Sequence, residues 1–472
     1  MRKTLLSYDS RMTGNGLESS RRLMTEGGVH PRAIAVFAHS YGVLASGETG
    51  LLAESDLEPV ASLPRLADLQ TDPQAARAAM AATAVVKLNG GLGTSMGMDK
   101  AKSLLEVRPG KSFLDIIAEQ ILALRAQYGV GLPVVFMDSF RTSQDTLDAL
   151  AAHPGLAVDG LPLDFLQNRE PKLRSDDLTP VSWPADPTLE WCPPGHGDIY
   201  TALDASGLLK ALLNKGYRYL FVSNADNLGA RPDPALAAWF AGSGAPFAAE
   251  FCRRTAADRK GGHLARRKAD GQLVLRESAQ TRPEDEAEFG DIDRHRFFNT
   301  NNLWLDLAAL DAVLQANDGV LGLPIIRNVK TVDPADPTSP EVIQIETAMG
   351  AAIGVFEGAA AIEVDRSRFL PVKATSDLLV LRSDAYELVD GAQVRLVPSR
   401  SAAPLVDLDK PYKLVGDFDT RFPHGAPSLI DCEKLTVKGD WTFGSDIKVV
   451  GVASVSAEGS PGSIPGGAVL GG

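Results

Sequence analysis

Between residues 84 and 223 the chain alternates short apolar runs with segments whose apolar residues recur at helical spacing. Ala84-Val-Val-Lys-Leu88 reads as a buried strand that runs into a glycine cluster. Phe113–Tyr128 carries Leu114, Ile117, Ile121 and Leu124 on one face, which predicts an amphipathic helix. Pro133–Met137 predicts the next strand, and Thr142 or Ser143 is placed to cap a helix through Leu150. Leu161–Leu166 reads as a strand, Leu208–Leu213 as a helix and Tyr217–Ser223 as a further strand. Strands alternating with helices of about 10–15 residues predict βαβ units. The expected fold is α/β, doubly wound around a mixed, mainly parallel sheet that occupies residues 81–385.

The flanks differ from this core. Residues 1–80 read as a polar helical segment with loops at Gly27–Gly28 and Pro59–Pro64, capping the larger domain. Residues 386–472 hold short β-type pieces at Leu429-Ile430, Leu435–Val437, Trp441–Phe443 and Ile447–Val450. Their spacing of roughly six residues is that of rungs in a small parallel β-helix, and an ordinary meander of strands has the same spacing. The tail from Ser460 to Gly472 is rich in Gly, Pro and Ser and is expected to fray.

Composition narrows the function classes. The 472 residues are 44% hydrophobic and 23% charged, enough apolar surface for a sizeable core. No apolar run reaches the length of a membrane span, and Leu5–Leu6 alone is too short for a signal peptide. A net charge of −13 argues against nucleic acid as a partner. The three cysteines, Cys192, Cys252 and Cys432, form no C-x-x-C pair, which fits a reducing cytoplasm rather than a zinc knuckle or disulfide framework. The seven histidines show no metal-ligand spacing.

The most informative stretch is Val85-Val-Lys-Leu-Asn-Gly-Gly-Leu-Gly-Thr-Ser-Met-Gly97. Glycines at 90, 91, 93 and 97 after a buried strand offer backbone N–H groups to an anion, and Lys100 and Lys102 follow. Gly97 is followed by Met98 rather than Lys, so this is no P-loop; the glycine after Gly91-Leu-Gly93 comes one residue late for a dinucleotide fingerprint.

KLNGGLGTSMG at 87–97, followed by Lys100-Ala-Lys102-Ser, closely resembles the UTP–glucose-1-phosphate uridylyltransferases (UDP-glucose pyrophosphorylases) of the eukaryotic-like type. The resemblance continues in the family's order through Phe165–Asn168, Pro193–Tyr200, Ser223–Gly229, Lys260–Gly262, Phe298–Trp304, Gln344–Gly350 and Arg366–Lys373 with Thr375–Leu378. It implies a nucleotide-diphospho-sugar transferase-like domain with a C-terminal parallel β-helix. It also implies a reaction of UTP with glucose 1-phosphate that gives UDP-glucose and pyrophosphate. Such a reaction needs lysines, backbone amides and a divalent cation, Mg²⁺, more than a general base, because the attacking phosphate is already an anion. At 98–102 the chain reads Met-Asp-Lys-Ala-Lys where relatives commonly read Cys-Lys-Gly-Pro-Lys, so Asp99 replaces a basic residue while Lys102 keeps its register.

Residue by residue, the resemblance gives Leu88, Asn89, Gly90 and Gly91 to the nucleotide loop and Lys102 to the UTP phosphates. Gln167 contacts uracil, its amide supplying both a donor and an acceptor. Gly195 lets the backbone approach the nucleotide, and His196 binds substrate near the sugar phosphate. Asn224 is a substrate contact and Asp226 the metal ligand at a strand's carboxyl end, where α/β sheets bind ligands. Gly262, Glu277 and Asn301 fall on the sugar side, and Lys373 bridges the two phosphates as a second catalytic lysine. Taken alone, several have blander readings: 224–227 is equally an Asx-rich turn, a lone histidine is more often a loop or core residue, and Asp198 reads as a cap or turn residue. Lys87, inside the strand, reads as structural.

Two alternatives stay in view: a pyrophosphorylase for galactose 1-phosphate or an N-acetylhexosamine 1-phosphate, and a non-catalytic sugar-nucleotide sensor on the same fold. The presence of Lys102, Asp226 and Lys373 speaks against the sensor. A homo-oligomer built through the C-terminal β segment is compatible with the sequence but not specified by it.

Overall fold

The computed structural model describes residues 10–48 and 50–472, so the Leu5–Leu6 pair lies outside the described residues. The chain forms two compact units. The first comprises the residues up to Val86, Asp159–Val222 and Pro232–Asp365; the second comprises Lys87–Val158, Ser223–Arg231 and Arg366–Gly472. Among the described residues no helix is long and apolar enough to cross a membrane.

In the first unit the N-terminal segment is helical over Ser10–Glu26 and Pro31–Ala45, with Gly28 turning the chain at a φ of 72°. Met24, Phe37, Tyr41 and Leu44 fall on their inner faces. They pack with Leu173, Leu178, Ile325, Ile343 and Ile345 around an antiparallel sheet of Ile325–Thr331, Glu341–Thr347 and Leu173–Arg174. The helical cap thus buries its apolar stripe on a small sheet that the periodicity analysis did not identify.

The main sheet of this unit is mixed. Phe297–Asp306 pairs antiparallel with Tyr219–Asn224 and with Phe247–Arg253, which in turn runs parallel to Ala360–Glu363. His263–Arg267 and Leu273–Arg276 form an antiparallel pair beside it. The apolar stretches of Tyr219–Asn224 and Phe297–Asp306 are covered on both faces: Phe221 and Phe240 pack on Trp304 in the interior with ring centroids 4.9 and 6.1 Å away. The buried Glu250 is satisfied, since it accepts from Trp304 Nε1 and Asn302 Nδ2 at 3.0 Å each. The strand expected over Leu161–Leu166 is confined to Asp164–Leu166. Pro162, with no N–H to donate, accounts for the shortening.

In the second unit the helix Phe113–Tyr128 begins at a capping box of Ser112 and Asp115 and ends at Gly129, whose φ is 62°. Val134–Asp138 is the strand expected after it, and Ser143–Leu150 the next helix. Thr142 precedes that helix without capping it; its hydroxyl donates to Asp138 Oδ1 instead. At the C-terminus, Leu405–Leu408, Ser428–Val437, Lys448–Val455 and Val469–Gly471 form a parallel ladder, and Trp441–Phe443 pairs in parallel with Gly462–Ile464. Parallel pairing rules out the meander. The tail expected to fray contributes two of these strands.

Candidate active site

The glycine loop, the Asp226 turn and the Lys373 segment converge within the second unit. Leu88 closes a buried strand, and its carbonyl accepts the Ala225 N–H at 3.0 Å. Asn89, 4% exposed, is anchored on all sides: its N–H donates to Met137 O, and its Nδ2 donates to Asp138 Oδ1 and Thr146 Oγ1 at 2.8 Å each. This network holds the loop that follows. Gly91 has open space where a side chain would project, and its carbonyl accepts the Lys102 N–H at 3.1 Å. Of the four loop glycines only Gly97, with a φ of 77°, needs the left-handed region; open backbone is what Gly91 supplies.

Lys102 and Asp226, 124 positions apart in sequence, meet as an ion pair with Nζ 2.7 Å from Oδ2. Asp226 lies in the turn after Tyr219–Asn224, and its carbonyl accepts the Val372 N–H at 3.3 Å. Asn227 grips the same segment, accepting from Leu370 N at 2.8 Å and donating to Arg368 O at 3.1 Å. Lys373 therefore emerges one residue beyond a backbone contact with Asp226. Its N–H is held by Asp377 at 2.7 Å while its side chain is exposed. It lines an open cleft of about 410 Å³ with Ser95, Met96, Lys410 and Lys413. Lys87 is buried and donates to Ser223 Oγ and to Ala230 O, the structural role its position in the strand suggests.

In the first unit the remaining candidates follow one line of contacts. Gln167 ends the segment after Asp164–Leu166, and its neighbour Asn168 is bonded twice to Asp198. Gly195 has a φ of 80°, and a side chain there would stand 2.6 Å from Thr347 O, so the turn requires glycine. His196 Nδ1 accepts the Met349 N–H at 3.0 Å, which leaves the ring proton on Nε2. The residue is exposed to solvent, yet the crowding of protein atoms around its ring pushes its pKa down, to about 4. A neutral imidazole with a fixed Nε2–H suits donation to a phosphate or hydroxyl and does not suit acid catalysis.

Beyond Met349 the line continues to Gly350, which packs against the Asn299 amide. Asn299 N–H donates to Gly262 O at 3.1 Å, and Asn299 and Asn301 exchange bonds of 2.8 and 3.0 Å. Asn301 is half-buried with a φ of 57°, a conformation that non-glycine residues hold at a cost and that collects at ligand sites. Asn302 is bonded to Glu250, and of the bonded pair Asn299–Asn301 only Asn301 takes a positive φ, which singles it out of the three. Gly262 lies flat against the Glu277 carboxylate.

Two groups that organise these segments carry little sequence signal. Asp138 and Thr146 fix Asn89, and Asp198 fixes Asn168; only the position of Asp198 inside Pro193–Asp198 drew notice. Among the described residues no cluster of three or more His, Cys, Asp or Glu side chains could enclose a metal ion. Asp226 offers one carboxylate, paired with Lys102 through one oxygen. That donor set fits a divalent cation held jointly by a carboxylate, waters and substrate phosphates, and does not fit one caged by protein alone.

The family model described as UTP–glucose-1-phosphate uridylyltransferase matches residues 41–449. The chain is 41% identical to the UTP–glucose-1-phosphate uridylyltransferase of Solanum tuberosum over 417 residues, 88% of this chain and 85% of that protein. It is 42% identical to the Saccharomyces cerevisiae protein of the same name over 390 residues, 82% of this chain and 76% of that one. A variant of the UDP-glucose pyrophosphorylase from Leishmania major, solved in complex with UDP-glucose, superposes with a TM-score of 0.90 at 43% identity, covering 96% of this chain and 98% of that one. With the family model covering most of the chain and the likeness holding in sequence and in structure, the chain belongs to the UTP–glucose-1-phosphate uridylyltransferase family.

Proposed function

We propose that the protein joins UTP and glucose 1-phosphate to give UDP-glucose and pyrophosphate, with the residues described above in the following roles. Leu88, Asn89, Gly90 and Gly91 form the wall against which the nucleotide lies, Gly195 lets the backbone approach it, and Gln167 receives the uracil. Gly262, Glu277 and Asn301 take the glucose hydroxyls; His196 and Asn224 contact the substrate nearer the reacting phosphates. Lys102 and Lys373 balance the charge of two polyanions as a sugar-phosphate oxygen attacks the α-phosphorus and the bond to pyrophosphate breaks. Asp226 would hold Mg²⁺, which when bound supplies further neutralisation of phosphate charge. The observation that carries the reading is the 2.7 Å Lys102–Asp226 pair beside the glycine loop, with Lys373 entering one residue past a backbone bond to Asp226. The parallel C-terminal strands, Trp441 facing Gly462 and Lys448 facing Val469, support reading that segment as a short β-helix. Three free, buried cysteines support a reducing compartment, the cytoplasm.

The test is pyrophosphate release from UTP and Mg²⁺ with and without glucose 1-phosphate. Release should depend on the sugar phosphate, yield UDP-glucose and stop with excess chelator. Undiminished release under chelation would remove Asp226 as a metal ligand.

A further inference from the structure

The segment around Gln167 and the turn Pro193–Asp198 come from separate stretches of chain; the short antiparallel pair of Glu170–Pro171 with Trp191–Cys192 ties them on one side, and a buried carboxylate joins them at Asn168 itself. Asp198 Oδ2 accepts the backbone N–H of Asn168 at 2.6 Å, and Oδ1 accepts Asn168 Nδ2 at 2.8 Å. The carboxylate is 4% exposed. Asp198 precedes the helix Ile199–Ala205, yet its side chain makes no capping bond to that helix. Both oxygens are spent on Asn168. The turn itself has little freedom. Asp198 N–H donates to Gly195 O at 3.2 Å, Thr347 N–H donates to Pro194 O at 2.9 Å, and a side chain at Gly197 would meet Thr347 Cβ at 2.8 Å.

We propose that Asp198 is a positioning residue for nucleotide recognition: by gripping Asn168 from the turn, it sets Gln167 at a fixed place relative to Gly195 and His196. The inference rests on the reading of Gln167 as the uracil contact. A base edge is read by donors and acceptors whose spacing must hold to a few tenths of an ångström, and neither segment fixes that spacing alone. The strand pair at Glu170–Pro171 sets the two segments side by side, and a buried carboxylate that accepts two bonds from one residue adds the constraint next to Gln167 itself, at the cost of its own desolvation.

Only the ionised carboxylate can accept both bonds. Burial pushes the Asp198 pKa up to about 7, so the grip loosens as pH falls through neutrality. Arg169, Glu170, Tyr200 and His39 line the same small cavity, Glu346 acts on Glu170 from the strand Glu341–Thr347, and His196 lies in the turn. Burial and the neighbouring carboxylates push Glu170 up as well, whereas His196 stays neutral through this window. A pH profile alone therefore does not separate Asp198 from Glu170, but an exchange of partners does.

The experiment measures kcat, KM for UTP, KM for glucose 1-phosphate and thermal melting on the full chain. The proteins are wild type, Gln167→Ala, Asp198→Asn and the double variant Asp198→Asn with Asn168→Asp. Asp198→Asn turns one acceptor into a donor that faces a donor. In the double variant the new amide oxygen takes the backbone N–H of position 168, and the new amide nitrogen donates to the new carboxylate, so both bonds return. Asp198→Asn should raise KM for UTP about tenfold, the loss of one charge-assisted bond, with kcat and KM for glucose 1-phosphate within about twofold. The double variant should recover most of that loss. The wild-type KM for UTP should climb below about pH 7 and that of Asp198→Asn should not. An unchanged KM for UTP in Asp198→Asn, or equal losses in both KM values that the exchange fails to rescue, would overturn the positioning role while Gln167→Ala still weakened UTP. A Gln167→Ala variant with wild-type KM for UTP would overturn the uracil assignment, and this inference with it.

Discussion

A methyl group added at Gly262 would stand 2.5 Å from Glu277 Oε1, far inside van der Waals contact. Gly262 is held at its carbonyl by Asn299, so the carboxylate, at the end of a flexible side chain, is what would move. Gly262→Ala should therefore displace Glu277 and raise KM for glucose 1-phosphate about tenfold, the loss of one hydrogen bond to a charged group, with KM for UTP unchanged. Steady-state kinetics with each substrate varied in turn would check this, and an unchanged sugar-phosphate KM would take Glu277 off the sugar side. At this scale sequence reading reaches residue identity better than residue commitment. Three asparagines in Phe298–Trp304 are indistinguishable as letters. Their settings separate them: Asn302 is bonded to Glu250, the Asn299 and Asn301 side chains are bonded to each other, and Asn301 alone takes a positive φ.

Elements with local signals were legible to the residue. The helix Phe113–Tyr128 has its expected limits because a capping box at one end and a glycine at the other are written in adjacent letters. The parallel strands in the tail were not legible, since their partners lie a full rung away and Gly, Pro and Ser mask the pattern. Nor was the coupling between the glycine loop and the helix Ser143–Leu150. Thr146, on that helix, accepts from Asn89 Nδ2 at 2.8 Å and donates to Asp138 Oδ1 at 2.9 Å, so a helix face steadies a loop. Replacing Thr146 by the isosteric Val leaves the Asp138 and Asn89 groups short of a buried partner. The expected cost is about 1–3 kcal/mol in stability, with a several-fold rise in KM for UTP. Urea unfolding and UTP kinetics would show both; a loss of stability with UTP binding intact would mean that the loop keeps its shape without the helix.

At the scale of the molecule, a chain of net charge −13 must still gather two phosphorylated substrates, and the proposed site would do so with a few lysines placed by distant segments. Lys102 follows the glycine loop and Lys373 follows Ala360–Glu363, and Asp226 touches both segments, through its carboxylate and through its carbonyl. The Lys102 and Asp226 side chains are 20% and 23% exposed, so their pair contributes at most about 1 kcal/mol to stability. Lys373 is exposed and contributes less. Neither lysine is explained by folding, and both should reveal themselves in turnover. Lys102→Ala and Lys373→Ala should each lower kcat by about 10²–10³-fold, the scale of a lost transition-state charge contact, with melting temperatures near wild type. If the two lysines stabilise one developing charge, the double variant should lose far less than the product of the single losses. A fully multiplicative loss would assign them to separate steps, and a large drop in melting temperature for Lys102→Ala would return the Lys102–Asp226 pair to a structural role.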